Sequence, residues 1–519
     1  MLAEELIVTL RPDRTGRANL YHRQIYGQLR QAILEGRLRS GDRLPSTRDL
    51  AAKLGLARNT VARAYADLLA EGYLAGRVGS GTYVASELGA GSRQEPEPGI
   101  GPRVEGEGLA GEPRGLTDWG SRVLREVPDG SRGPALPYDF RLGTPDWDAF
   151  PRVLWLQLLG RAARREAEEL GRYGEPAGYF PLRQAIARHL ALSRGVVATA
   201  EQVVIVSGSQ QALDLLTRLW VGPGDTVVVE EPGYPEARRA FAAVGAKLLP
   251  ILVDAEGLDV ESLTQQTAAS AARLVYVTPS HQFPTGVTLS LARRLGLLEW
   301  AARRDVLIVE DDYDSEFRYT GRPIESLQGL DRLGRVVYLG TFSTVLFPPL
   351  RVGYVVLPPD LVKPFVKAKW LADRQTPTLE QLALADFLTE GHFGRHLRRM
   401  RRVAAERRAA LLAAVAEHLD RQAEPPTAST GMHLMLPLPV VPGASPLDLE
   451  TAIALRAATR GVGVYPLGPC CVGSPAAPGL LLGFAALSTE RIHEGIRRLA
   501  QAVRECCIEG QLRRGSEPT

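Results

Sequence analysis

Between Asp305 and Pro358 the chain sets an acid, a phenol, hydroxyls and a guanidinium beside two β-rich runs. The run VLIVE (306–310) leads into Asp311 and Tyr313, and VVYLG (336–340) leads into Thr341 and Ser343, with Arg351 following. In an α/β sheet, ligand groups gather just beyond the carboxyl ends of the strands. A carboxylate holds a pyridine nitrogen protonated, a phenol bonds a ring oxygen, and hydroxyls with a guanidinium take a phosphate. These residue types predict a cup for pyridoxal 5'-phosphate. Catalysis with that cofactor needs a lysine for the Schiff base, expected directly after Ser343. Thr344 stands there, and a hydroxyl forms no imine. The lysines are Lys53, Lys247, Lys363, Lys367 and Lys369, none in register to replace it.

The elements that must position this cup read as an α/β domain. Strand-like runs VVIVS (203–207), TVVVE (226–230), RLVYVT (273–278), VLIVE, VVYLG and VGYVVL (352–357) alternate with helical segments, which predicts a largely parallel sheet. Further ligand-side residues fall at the strand ends. Gly208, Ser209 and Gln210 open a helix whose free amides suit a phosphate. Tyr234 sits in a turn from which it can stack on a ring, and His281 is delivered beside the sheet. After Pro359 the pattern turns helical and arginine-rich, with a small α/β finish.

At 519 residues, more than one domain is expected. The net charge of +3 is unevenly spread: residues 1–85 hold 13 Lys and Arg against 8 Asp and Glu, and the rest is about −2. A small basic module on a near-neutral body points to nucleic acid. MLAEELIVTLRPD lacks the pattern of a signal peptide, and no apolar run approaches transmembrane length, so a cytoplasmic protein with no membrane partner is expected. The neighbouring pairs Cys470–Cys471 and Cys506–Cys507 make no secreted disulfide framework and read as packed thiols, with no metal site.

Residues 20–85 read as three helices and a hairpin. Ile25, Leu29, Ile33 and Leu34 recur at helical spacing, Thr47–Leu54 forms a second helix closed by Gly55, and a third runs from Arg58 to about Glu71. Two short helices joined by a tight turn make a helix-turn-helix, whose second helix presents Arg58, Asn59 and Thr60 to a major groove. Gly72–Val84 reads as a wing.

This stretch resembles the GntR-type winged helix in LPSTRDLAAKLGLARNTVARAYADLLAEGYL. The resemblance implies DNA contacts by Thr47, Arg48, Arg58, Asn59, Thr60 and Gly81. The later part is similar to fold-type I aminotransferases, and the pairing resembles the MocR-type regulators through YVTPSHQFPTGVTLS, IVEDDYDSEFRY and GTFSTVLFPPLRVGYVVLP. It implies an N-terminal winged helix-turn-helix plus an aminotransferase-like domain, with a large, mostly parallel-sheet subdomain and a small C-terminal α/β subdomain. The expected boundaries are 1–85 for the DNA-binding module, 86–137 for a flexible linker with a short arm helix at 116–126, 138–506 for the effector-binding and dimerisation domain, and 507–519 for a polar tail. It further implies a head-to-tail homodimer, a double-stranded DNA operator and a small-molecule effector. In family terms Asp311 meets the pyridine nitrogen, Tyr313 and His281 face the ring oxygen, and Tyr234 stacks. Gly208, Ser209, Gln210, Thr341, Ser343 and Arg351 hold the phosphate.

The chain departs from the pattern twice. Thr344 and Val345 replace the lysine and its neighbour, and Leu481-Leu482-Gly483-Phe484 stands where aminotransferases carry an arginine for the substrate carboxylate. Losing both removes what transamination most needs, so no catalytic residue is expected. Three readings remain: a regulator binding pyridoxal phosphate or an adduct non-covalently, a regulator whose second domain is a scaffold or senses another anion, and a DNA-tethered aminotransferase.

Overall fold

The computed structural model describes residue 10 and residues 19–77, 80–85, 115–128, 136–319, 324–419 and 430–512. The linker reading of 86–114 and the end of the tail, 513–519, lie outside them. The chain divides into two units, Met1–Gly111 and Glu112–Thr519.

In the first unit, helices α1 (Asn19–Leu34), α2 (Thr47–Leu54) and α3 (Arg58–Ala70) precede the antiparallel hairpin β1 (Leu74–Arg77) and β2 (Gly81–Val84). Ser46 caps α2 by accepting from the Asp49 amide, the preferred chemistry at a helix start. Ile25, Leu29, Leu50, Val61, Ala64 and Leu68 are buried together with Leu74 and Val84, so the hairpin closes the same core as the helices. The Tyr65 hydroxyl donates to the Pro45 carbonyl at 3.0 Å, tying α3 to the turn before α2.

The second unit opens with α4 (Asp118–Glu126), an arm whose Arg122 donates to the Ala243 carbonyl at 2.8 Å. After β3 (Tyr138–Asp139) come α5 (Arg152–Arg165), α6 (Ala167–Leu170) and α7 (Phe180–Arg194). The main sheet is then laid down by β4 (Val203–Val206), α8 (Ser209–Trp220), β5 (Thr226–Glu231), α9 (Pro235–Ala243), β6 (Lys247–Asp254), β7 (Gly257–Leu258), α10 (Val260–Gln265), β8 (Ala272–Val277), α11 (Leu291–Arg304), β9 (Leu307–Asp312), α12 (Leu327–Leu330), β10 (Val336–Thr341) and β11 (Gly353–Val356). Its order is β4-β11-β10-β9-β8-β5-β6-β7. The run from β10 to β6 is parallel, while β11 is antiparallel to both its neighbours and β7 to β6. Val203–Val206 and Val336–Thr341 are buried throughout, as expected for strands covered on both faces.

The chain continues through α13 (Pro359–Asp373), α14 (Thr378–Thr389) and α15 (His392–His418) into a smaller α/β layer. That layer holds β12 (His433–Pro437), α16 (Pro446–Thr459), β13 (Val462–Gly463), β14 (Tyr465–Pro466), β15 (Gly479–Gly483) and α17 (Thr489–Leu512). Its sheet runs β12-β15-β14, and β13 pairs with β3. The helix α17 runs on to Leu512, past the expected start of the polar tail at 507. No disulfide joins the four cysteines, and burial pushes Cys470 and Cys471 up to about 12.

Candidate functional site

The carboxyl ends of β9 and β10 bring the sequence-predicted acid and hydroxyls together. Asp311 is the penultimate residue of β9 and is buried. Its Oδ2 accepts from the Tyr276 hydroxyl at 2.7 Å, and its Oδ1 is enclosed without a partner. Burial pushes this carboxyl from 3.8 up to about 7, against the Tyr276 bond that lowers it, with the nearby Asp312 and Asp314 adding to the rise. Tyr276 comes from the neighbouring strand β8; it opens the stretch YVTPSHQFPTGVTLS, but the sequence assigned it no role in the cup.

Tyr313 follows β9, and its hydroxyl lies 2.9 Å from His281 Nδ1. The same nitrogen lies 2.9 and 3.1 Å from the two Asp314 oxygens, leaving the buried Nε2 of His281 unpartnered. Gly431 lets this ring in: it has φ +83°, and a Cβ there would stand 1.9 Å from His281 Cε1. His433 joins the cluster, its ring 4.9 Å from that of His281, and burial beside His281 lowers it to about 3, so it is neutral near pH 7. Phe283 sits at 5.3 Å from Tyr234, 6.1 Å from Tyr313 and 5.3 Å from His433, between ring centroids.

The residues expected to take a phosphate meet at the start of α8. Gly208 caps that helix at φ +86°, and the guanidinium of Arg351 lies where a Cβ would be, 2.6 Å from Nη2. Arg351 donates to the Ser207 carbonyl at 3.0 Å. Thr341 ends β10 and accepts from the Ser343 amide at 3.1 Å, while Ser343 Oγ is enclosed without a partner. Ser209 is half-buried in the first turn of α8 and Gln210 is exposed beside it.

A support beneath this turn was not legible in the sequence. Gln211 Oε1 accepts from the Ser207 amide at 2.8 Å, and Gln211 Nε2 donates to Asp373 at 2.8 Å. Asp373 in turn holds the fully buried amine of Lys369 at 2.7 and 3.0 Å. Thr344, in the lysine's place, donates its hydroxyl to the Tyr313 carbonyl at 2.5 Å. Val345 beside it is a core residue, and its carbonyl faces His396 Nε2 at 2.9 Å.

In the first unit, Arg48, Arg58, Asn59 and Gly81 are exposed, and Thr47 and Thr60 are half-buried. Arg58 Nε lies 3.4 Å from Thr47 Oγ1, so the starts of α2 and α3 share one surface. The Arg43 guanidinium stands beside Gly81 of the wing.

A winged helix followed by this sheet and strand-end cluster defines a DNA-binding protein joined to an aminotransferase-like unit. Residues 21–84 match the gntR family of bacterial regulatory proteins, and residues 149–499 match aminotransferase class I and II. The chain is 41% identical over 482 residues to the probable rhizopine catabolism regulatory protein MocR of Rhizobium meliloti, covering 93% of each. It is 31% identical to the pyridoxine biosynthesis transcriptional regulator PdxR of Corynebacterium glutamicum, covering 92% of this chain and 95% of that one. Among solved structures it is similar to the α-aminoadipate aminotransferase LysN of Thermus thermophilus, complexed with N-(5'-phosphopyridoxyl)-L-leucine. That match has a TM-score of 0.68 and 31% identity over 76% of this chain and 98% of that one. The chain belongs to the MocR-type family of transcriptional regulators, a GntR-type winged helix joined to an aminotransferase-like domain.

Proposed function

We propose that this regulator binds pyridoxal 5'-phosphate non-covalently in the strand-end cup and does not transaminate. The observation that carries the reading is Asp311: a buried carboxyl with one unpartnered oxygen, held up to about 7 by its surroundings, suits a ring N–H. Tyr313 and His281 would take the ring oxygen, and Tyr234 would stack. Arg351, Ser343, Thr341 and the Gly208–Gln210 turn would take the phosphate. When bound, that cofactor supplies an electron sink to an amine joined at its aldehyde. Thr344 offers no amine to join it or to move a proton, so a binding cup is left rather than a catalytic one. The name of the Corynebacterium relative, a regulator of pyridoxine biosynthesis, and the adduct in the Thermus structure both support the ligand class.

In this reading, Arg48, Arg58, Asn59, Thr60, Thr47 and Gly81 contact a double-stranded operator. The protein works as a head-to-tail homodimer in the cytoplasm, and cup occupancy shifts its hold on DNA. The test is a titration of the full chain with pyridoxal phosphate by calorimetry and absorbance, with inorganic phosphate as control, then operator binding with and without it. Saturable binding without a Schiff-base band is expected. Absence of binding refutes the cofactor reading and leaves the domain as a scaffold or a sensor of another anion.

A further inference from the structure

We infer that the ligand of this cup carries no carboxylate: it is pyridoxal phosphate alone, or its adduct with a primary amine whose remaining body is uncharged. The inference rests on the cofactor reading above and concerns the wall beyond Phe283. That ring faces Tyr234, Tyr313 and His433. It also packs on a small apolar cluster of Leu467, Cys470 and Leu481, joined by Leu142 and Met435. Leu481 is fixed in register on β15, opposite Met435 of β12 and Tyr465 of β14. It occupies the position at which the aminotransferase pattern has arginine.

The cations bordering this wall, Arg141 and Arg238, each stand beside a carboxylate. Arg141 lies 2.8 Å from Asp139, which also accepts from the Tyr465 hydroxyl at 2.9 Å. Arg238 donates to the Pro469 carbonyl and burial lowers its pKa; its Nη1 makes no hydrogen bond and has its counter-charge, Glu231, at 3.9 Å. Glu231 itself accepts from the Val472 amide at 2.9 and 3.0 Å. His433, the imidazole against Phe283, is neutral near pH 7. A carboxylate brought to this wall would lose water, meet Leu481, and face the carboxylates of Asp139 and Glu231. A charge desolvated without a dedicated partner weakens binding strongly, whereas an alkyl or hydroxylated body meets matching surface. Specificity by such rejection needs no contact made to the accepted ligand.

Two stable probes isolate the carboxylate: N-(5'-phosphopyridoxyl)-isoamylamine and N-(5'-phosphopyridoxyl)-L-leucine, which differ in that group alone. Calorimetry on the full-length protein compares both with pyridoxal phosphate itself. The isoamylamine adduct is expected to bind at least tenfold more tightly than the leucine adduct, and Leu481→Arg is expected to shrink or reverse that gap. Equal or tighter binding of the leucine adduct to the wild-type chain, with pyridoxal phosphate still bound, overturns the inference alone and points to Arg238 as the carboxylate's partner. Failure of all three ligands to bind refutes the cofactor reading, and this inference with it.

Discussion

Asp311→Asn is expected to make the ligand-free protein more stable while weakening its hold on pyridoxal phosphate. In the folded chain the carboxyl is raised from 3.8 to about 7, chiefly by burial. A raised acid favours folding fully below its unfolded value, and that advantage is lost as pH climbs to the folded value. Each pH unit between the two values corresponds to ~1.4 kcal/mol, so ionised Asp311 costs about 4 kcal/mol above pH 7. Asparagine can accept from Tyr276 with its carbonyl, which replaces the 2.7 Å bond, but its amide then lies at the unpartnered side. Leaving that donor unmade costs about 1 kcal/mol, so the net gain at pH 8 is about 3 kcal/mol. The difference between variant and wild type should grow by ~1.4 kcal/mol per pH unit between pH 4 and 7 and flatten above. Glu316, also raised to about 7 by burial, affects both proteins alike, whereas the charge of Asp311 adds to the rise of Glu230, so the variant eases that carboxyl as well and the gain is a little larger. Urea denaturation of both apoproteins at pH 4.5, 6 and 8 measures it, and calorimetry at pH 8 should show affinity reduced at least tenfold. A difference that does not change with pH would refute the picture of a desolvated carboxyl awaiting a cation.

Thr344→Lys is expected to give a Schiff-base absorbance band with pyridoxal phosphate, provided the new side chain leaves the Tyr313 carbonyl that Thr344 now holds; a variant that binds but forms no imine shows that the ring sits elsewhere. Gly208→Ala should reduce affinity for the cofactor and for free phosphate about a hundredfold, since its Cβ would displace the Arg351 guanidinium and φ there is +86°. Lys369→Met should leave Asp373 without its buried partner, destabilising the domain by ~3 kcal/mol and loosening the Ser207 turn; thermal melts with and without phosphate read both effects. Asn59→Ala should cost about 1–3 kcal/mol on the operator and little on random DNA, whereas Arg48→Ala should weaken both and lower the salt slope by about one. Filter binding across a salt series separates the two.

The sequence was most legible where local chemistry and chain order coincide. Ser46, Gly55 and the apolar spacing of Ile25, Leu29 and Ile33 define the winged helix because each acts within its own turn or helix. The valine-rich runs became the parallel strands because a strand covered on both faces must be apolar throughout. What stayed hidden depends on neighbours distant in sequence. Strand β6 carries Pro250 and an interrupted pattern, so its pairing with β5 is decided by the sheet rather than by its own residues. Tyr276 reads as a strand residue until β8 and β9 pair, and only then does its hydroxyl meet Asp311. Lys369 reads as a surface lysine of α13, yet it is fully buried because Asp373, one turn on, and Gln211 of α8 enclose it in a polar network.

Losing the amine at 344 while keeping a charged cup changes what occupancy can report. A ligand held by a phosphate pair, a ring-nitrogen contact and stacking exchanges on its own off-rate, so occupancy follows free concentration rather than the slow chemistry of a covalent bond. Binding stabilises the folded domain by RT ln(1 + [L]/Kd), about 2.7 kcal/mol at a hundredfold excess over Kd. That is comparable to the cost carried by ionised Asp311 in the ligand-free chain. A ring N–H delivered to Oδ1 lowers that cost, so occupied and empty states differ by a charge interaction buried in the sheet. A scaffold with no ligand would gain stability from Asn or Leu at 311. An acid there with an unpartnered oxygen, and an unpartnered hydroxyl at Ser343, therefore favour the proposed ligand-binding reading over a scaffold.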